Sequence, residues 1–438
     1  MEIGDIVKKI RTSLTLKLIF IGILLLLLQI PVWMVDSLVA DRMKAKKSAE
    51  ADICRGWGGE QTVAGPFLVI PAEITVNAAK KTTRRDCIFQ MPESLRMETV
   101  LTPQVRYRGI YKVVLYSAEV RIKAKFKYEL PSSATCRPEK TRLCFGIADL
   151  IGIRKAEVKV NGKTVQIQSG LPETPGNGIH AVLPQTGNGG EFEVEAELVL
   201  NGSSSFKAAP WGQNTEIVMR SAWKDPSFSG TMLPAERKIG ADGFDAKWLC
   251  SSLNRNFPQQ WIGAEYQVHF PGRGSNTWSD KLIRTEVGVQ LKLMTDIYTQ
   301  VDRAMKYVTL FIIFIMLFFL IGEHLAGVWM HPFQYVLTGL AVVLFYLLLL
   351  SISEHVFFDY AYTIAAIGVT LLVACYTGAI FRSRRAALGE GAAMLGAYAV
   401  IYLLLKLENT ALLVGSGVLF ALLALLMALT SNLNKERQ

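Results

Sequence analysis

Charge is scarce in this chain of 438 residues: Asp, Glu, Lys and Arg make up 19% of it, against 51% hydrophobic. So thin a polar complement excludes intrinsic disorder and argues against an ordinary soluble globule. Histidine is rarer still, at five. No HExxH sets two of them on one helix face for zinc, and no GxSxG forms a nucleophile elbow. The six cysteines include no CxxC, which removes a thiol redox motif and a zinc ribbon. Gly162-Lys163-Thr164 ends like a phosphate-binding loop, but that loop needs a glycine at 157, where Glu157 stands. The Gly176–Ala181 stretch matches a dinucleotide fingerprint by letters only, since it follows Pro172 and Pro175 and opens no helix. Neither an enzyme nor a cofactor or metal site is expected from these patterns, and no nucleic-acid partner, because the net charge of +10 sits where membrane orientation explains it.

What is abundant is long apolar sequence. A bilayer core about 30 Å thick needs roughly 20 apolar residues of helix, and six stretches qualify: 18–35, 307–321 (extended upstream to 303), 333–352, 362–381, 392–405 and 411–429. Lys8, Lys9, Arg11 and Lys17 precede the first, so the positive-inside rule places the N-terminus in the cytoplasm. Arg382, Arg384, Arg385, Lys435 and Arg437 then also fall on the cytoplasmic side. The run 18–28 also fits a cleavable signal peptide, but the apolar stretch continues through Ile30, Pro31, Val32 and Trp33 to Val35, which suits an uncleaved anchor. The resulting division is a cytoplasmic N-terminus at 1–17, an anchor at 18–36, a periplasmic domain at 37–302, a five-helix bundle at 303–430 and a cytoplasmic tail at 431–438. The expected class is a bundle of six transmembrane helices, one plus five, with a large mainly-β domain inserted between the first and second.

That domain reads as strand. Apolar and polar residues alternate over 113–128, 191–200 and 285–294, the pattern of strands with one buried face. Asn161-Gly162 marks a type I′ hairpin, because both turn positions must accept positive φ, and Asn201-Gly202 is a second candidate. Helix is expected at 37–51 and 245–253. An antiparallel, sandwich-like domain accounts for the pattern. Five cysteines fall in it, Cys54, Cys87, Cys136, Cys144 and Cys250; Cys136 and Cys144 could close a small loop, though pairing is not readable from sequence.

Ionisable residues near membrane depth are costly and often functional. Glu354-His355 and Glu323-His324 are such pairs, both at span ends that water reaches, and Arg303 joins Glu354 and His355 as a candidate at head-group level. Charge is otherwise nearly missing from the spans, which weighs against an ion-coupled transporter. Gln29 is the clearest polar exception and is expected to pack the anchor onto the bundle.

Several stretches together resemble the CreD family of bacterial inner-membrane proteins, described as cell envelope integrity proteins. They are Gly65-Pro66-Phe67-Leu68-Val69-Ile70-Pro71, Trp223-Lys224-Asp225-Pro226-Ser227-Phe228-Ser229-Gly230 with Leu233-Pro234, and Gly243-Phe244-Asp245-Ala246-Lys247-Trp248. They continue in Asp302-Arg303-Ala304-Met305-Lys306-Tyr307, His331-Pro332-Phe333-Gln334-Tyr335, the 347–355 stretch ending in Glu354-His355, and the 407–413 stretch. The resemblance implies an inner-membrane location in a Gram-negative cell and a role in maintaining the envelope. It brings no catalytic residue. Trp223, Phe228 and Trp248 have two readings, as packed strand ends or as an aromatic site for peptide, glycan or lipid. The expected function is a non-enzymatic membrane protein whose β domain binds an envelope component; the alternative is an enzyme or transporter acting on a lipid or cell-wall precursor. The expected partners are the lipid bilayer and an envelope protein, glycan or lipid; oligomeric state is not legible.

Overall fold

The computed structural model describes residues 14–407 and 413–427, apart from 78–81, 130, 132–133, 137–139, 174–175, 184–188, 256, 264–265, 267–284, 292–296, 327–329, 418–419, 421–423 and 425–426. His269, Trp329, most of the expected last span at 411–429 and the side chains of Cys136 and His324 lie outside the described residues. The chain divides into two compact units, Met1–Lys46 with Thr295–Gln438, and Lys47–Met294.

The first unit is helical: α1 (Leu14–Trp57, whose last residues belong to the second unit), α2 (Ile297–Met305), α3 (Val308–Ala326), α4 (Pro332–Ser353), α5 (Phe358–Phe381) and α6 (Arg384–Lys406). Among the described residues, four helices are long and apolar enough to cross a membrane: α1, α4, α5 and α6. The α2–α3 pair, bent by 47°, would make a fifth. The expected helix at 37–51 is the direct continuation of the anchor in α1. Between Ile21 and Val39 its buried positions are Ile21, Leu24, Leu28, Val32, Val35 and Val39, spaced by three and four residues as one stripe of a helix. Leu28 packs on α4, where a Cβ added to Gly339 would lie 2.3 Å from Leu28 Cδ1.

The second unit holds β1 (Gln61–Asn77), β2 (Thr82–Gln90), β3 (Ser94–Arg108), β4 (Tyr111–Glu129), β5 (Ala134–Cys136), β6 (Arg142–Ile147), β7 (Ile153–Val160), β8 (Lys163–Thr164), β9 (Ile167–Ser169), β10 (Gly178–Val182), β11 (Gly189–Ser203), β12 (Ser205–Ala209), β13 (Asn214–Ser221), β14 (Pro226–Gly230), β15 (Glu236–Gly240), β16 (Gly243–Ser251), β17 (Gln260–Ile262) and β18 (Val287–Leu291). They form a ten-stranded sheet, with β14-β18-β12-β1-β6-β10-β9 as its path, and an eight-stranded sheet ordered β15-β16-β13-β3-β4-β11-β7-β8. The main core lies between the two: Leu68, Ile70 and Phe206 from one sheet meet Met97, Ile122, Leu198 and Trp248 from the other. A sandwich is thus present, but not a purely antiparallel one, since β1 pairs with β12 and β3 with β13 in parallel. Parallel partners need a long connection, and here most of the sandwich intervenes in sequence between them.

Strand β1 is buried on both sides. Leu68 and Ile70 enter the main core, whereas Phe67 and Val69 enter a second cluster with Phe89, Trp211, Phe257 and Trp261. This is why the Gly65–Pro71 stretch reads as an unbroken apolar run rather than an alternation. Strand β4 does alternate, with Val120, Ile122, Ala124 and Phe126 inward and the charged residues between them outward.

Two local expectations fail and one holds. The 245–253 segment is not helix but strand β16 followed by a short 3₁₀ turn at Ser252–Asn254. Its period is two, with Phe244, Ala246, Trp248 and Cys250 buried, and pairing with β13 overrides local preference. Asn201-Gly202 is no turn: both residues lie within β11, opposite Ser117 and Tyr116, and the break in extended backbone comes at Ser204, with φ of 59°, before β12 of the other sheet. Asn161 and Gly162, with φ of 47° and 75°, make the expected tight turn between β7 and β8. Cys144 is a buried thiol without a disulfide, so the small Cys136–Cys144 loop does not form.

Candidate functional site

The three candidate rings belong to the sandwich unit. Phe228 on β14 meets Trp248 on β16 edge-on at 5.8 Å and Phe244 at 5.7 Å. Trp248 is only 1% exposed and its Nε1 donates to the Met232 carbonyl at 3.2 Å. A ring with its one donor satisfied and no open face is a packing element. Trp223 is half-buried against the same core, its Nε1 donating to Asp225 O at 3.1 Å. The strands therefore bring Phe228 and Trp248 together, with Trp223 the more accessible of the two tryptophans.

The membrane-boundary candidates separate. Glu354, following α4, is 11% exposed; its Oε1 accepts from Tyr298 OH of α2 at 3.2 Å and lies 3.5 Å from Arg42 Nε of α1. His355 is exposed, with Nδ1 3.2 Å from the Ser351 carbonyl. Arg303 is half-buried further along α2. Glu354 thus joins residues of three helices.

A second junction contradicts the expectation that water reaches Glu323. That residue lies inside α3 and is 5% exposed; it pairs with Lys17 of α1 at 2.5 Å and accepts from Tyr335 OH at 2.8 Å and the Met330 amide at 3.1 Å. Lys17 and Arg42 stand 25 residues apart on one helix, about 37 Å at 1.5 Å per residue, somewhat more than an apolar core of ~30 Å. Between them Gln29 Oε1 accepts from Thr309 Oγ1 at 3.1 Å, the anchor-to-bundle contact expected of it. The sequence signal for the Lys17–Glu323 pair was a lone charge of each sign at the edges of two apolar runs.

The outward face of the eight-stranded sheet carries a ladder of opposite charges. Lys123 meets Glu195 at 3.2 Å, Lys125 meets Glu193 at 2.8 Å and Lys127 meets Glu191 at 3.2 Å, each pair directly opposite across β4 and β11. Hydrogen bonding from Lys125 holds the Glu193 carboxyl below its ordinary range, and Glu193 in turn raises the Lys125 ammonium. Two hollows of about 670 and 510 Å³ lie along this face, both bordered by Arg96, Lys123 and Glu195. Among the described residues no three His, Cys, Asp or Glu side chains converge to hold a metal.

The comparison with known families decides the identity. A family model described as "Inner membrane protein CreD" matches residues 13–436. The chain belongs to the CreD family. The inner membrane protein CreD of Escherichia coli (strain K12) is 30% identical over 423 residues, covering 93% of this chain and 91% of that protein. Solved structures of yeast LTA4 hydrolase, native and in complex with Bestatin, overlap 35% of this chain and 26% of theirs at 9% identity, with a TM-score of 0.16, too slight to bear on fold or activity. The chain is therefore an inner-membrane protein of the CreD family, with several apolar helices and a large mainly-β unit. The family's description carries no enzymatic activity.

Proposed function

We propose that this CreD-family protein is a non-enzymatic support of envelope integrity, which engages an envelope component through its β unit on the periplasmic side. The observation that carries this reading is the charged ladder on the exposed face of the eight-stranded sheet. A face whose lysines and glutamates alternate in rows suits a ligand carrying both signs, and the chemistry that fits is a peptide-bearing wall glycan with free amino and carboxylate groups. Trp223, half-buried in the same unit, is the candidate aromatic residue left most accessible for a stacking contact.

In the same reading the chain crosses the membrane six times, with 411–429 as the last span and both termini cytoplasmic. Retention of α1 as an anchor is supported by its contacts at both ends and at mid-length, through Lys17, Gln29 and Arg42. Glu354, His355 and Arg303 then face the periplasmic head groups, and Arg382, Arg384 and Arg385 the cytoplasmic ones, where basic residues attract anionic lipid.

The test is leakage of a normally excluded dye in a deletion strain. Rescue is expected from the full chain but not from a full-length copy in which Lys123, Lys125 and Lys127 are changed to Glu and their partners Glu191, Glu193 and Glu195 to Lys. Exposed pairs of this kind contribute roughly 0.2–1 kcal/mol each, so reversing both partners leaves the fold intact. Full rescue by the reversed copy would remove the ladder as the binding surface, and a deletion strain that does not leak would sink the envelope role.

A further inference from the structure

Polar side chains inside the helical unit are mostly matched with partners. Glu323 is held by Lys17, Tyr335 and a backbone amide, and Gln29 by Thr309. Thr338, Ser353 and Thr377 each return a hydrogen bond to their own helix at 2.8–2.9 Å. Among the described residues of this unit, five buried atoms meet no partner: Gln300 Oε1 on α2, and Tyr346 OH, Thr370 Oγ1, Glu390 Oε1 and Tyr398 OH on α4, α5 and α6. Four of the five therefore cluster on three successive helices.

Glu390 is the one with the greatest consequence. The segment between the expected spans 362–381 and 392–405 is largely helix, since α6 begins at Arg384, and Glu390 sits in its second turn, only 3% exposed. Thr370, 4% exposed, lies on α5 beside the adjoining Gly391, where an added Cβ would stand 3.8 Å from the Thr370 methyl and 3.5 Å from Ala374 Cβ. Further along the same antiparallel pair Tyr362 OH donates to Tyr398 O at 2.7 Å, and Phe345 of α4 packs on the Tyr398 ring at 4.4 Å.

An isolated carboxylate in apolar surroundings is costly and is neutralised by pairing or by taking up a proton. Among the described residues no side-chain cation pairs with Glu390. Arg384 and Arg385 on its own helix are exposed, as are Arg382 and Cys375 on the α5 side. On α2, α3 and α5, which pack against α6, Asp302 pairs with Lys306, Tyr298 with Glu354, Glu323 with Lys17 and Asp359 with Lys406. Water is the usual partner of buried polar atoms that lack a protein one.

We propose that Glu390 is a proton-binding site in the bundle interior, its carboxyl exchanging a proton with water that bridges Oε1 to the Thr370 hydroxyl. The exchange is a simple one: the carboxylate takes the proton of a hydronium ion and leaves a water molecule. The Tyr398 hydroxyl, about 12 Å further along α6 at 1.5 Å per residue, and the Tyr346 hydroxyl continue the same line of partnerless polar atoms through the interior.

Infrared difference spectroscopy on the full-length protein in lipid vesicles at neutral pH tests this. The wild type is expected to show the carbonyl stretch of a protonated carboxylic acid, shifted on transfer to D2O and lost in Glu390→Gln. Thr370→Val is expected to keep that band and shift its frequency, and it decides the matter should Glu390→Gln fail to fold. Absence of the band in wild type, or its persistence unchanged in a folded Glu390→Gln, overturns the proton site. A band that Thr370→Val leaves unmoved overturns the bridge to Thr370.

Discussion

Single residues show how little room the sandwich core leaves. A Cβ on Gly202 would stand 2.4 Å from the Tyr116 ring, whose hydroxyl donates to Ser205 O at 2.6 Å, so neither side can yield. Gly202→Ala is expected to cost about 1–3 kcal/mol, the usual range for overpacking, read as a lower midpoint of thermal unfolding. The buried thiols behave in a related way. Burial pushes Cys87 and Cys250 up from about 9 to about 11. Because the folded state then holds the proton more tightly than the unfolded one, their contribution is complete below pH ~9 and is lost as pH rises through ~11. Alkylation of both by iodoacetamide is accordingly expected to be slow in the folded protein at pH 8 and to rise sharply on unfolding; equal rates in the two states would contradict it.

At the scale of elements, the anchor helix is part of the bundle and not a separate tether. Its buried stripe and its contacts to α3 and α4 supply what a lone apolar helix would lack, since lipid by itself gives no preference for one partner. Removing one member of a buried ion pair leaves the other uncompensated, so Lys17→Met or Glu323→Gln is expected to lower stability in detergent by on the order of 3 kcal/mol. Replacing both by Met should restore most of that loss, and a double variant no better than the singles would show that the pair does not act as a unit. The β elements carry a parallel lesson. Alternation alone revealed β4 and β11, because each shows one face to the core and one to water. Strand β16 is not the helix, nor Asn201-Gly202 the turn, that local preference suggests, because register with another strand decides both.

For the molecule as a whole, the threading is open to direct test. On the six-span reading, Lys238→Cys on exposed strand β15 should react with a membrane-impermeant maleimide in cells whose outer membrane has been permeabilised, while Ser383→Cys should react only after lysis. The reverse pattern would invert the orientation.

Apolar run lengths, flanking basic residues and family motifs were legible in the sequence itself, and with them the membrane class, the CreD family and a β unit. Hydropathy is a sum over neighbours along the chain, and motifs are strings of neighbours, so both survive without three-dimensional knowledge. What only the tertiary structure decided is which polar groups meet. Lys17 and Glu323 lie 306 residues apart in sequence, Glu354 draws its partners from α1 and α2, and Glu390, on a helix packed against α5, is buried with no partner for its Oε1 among the described residues. Burial and pairing of charge depend on the packing of distant segments, and no local pattern of residues records that.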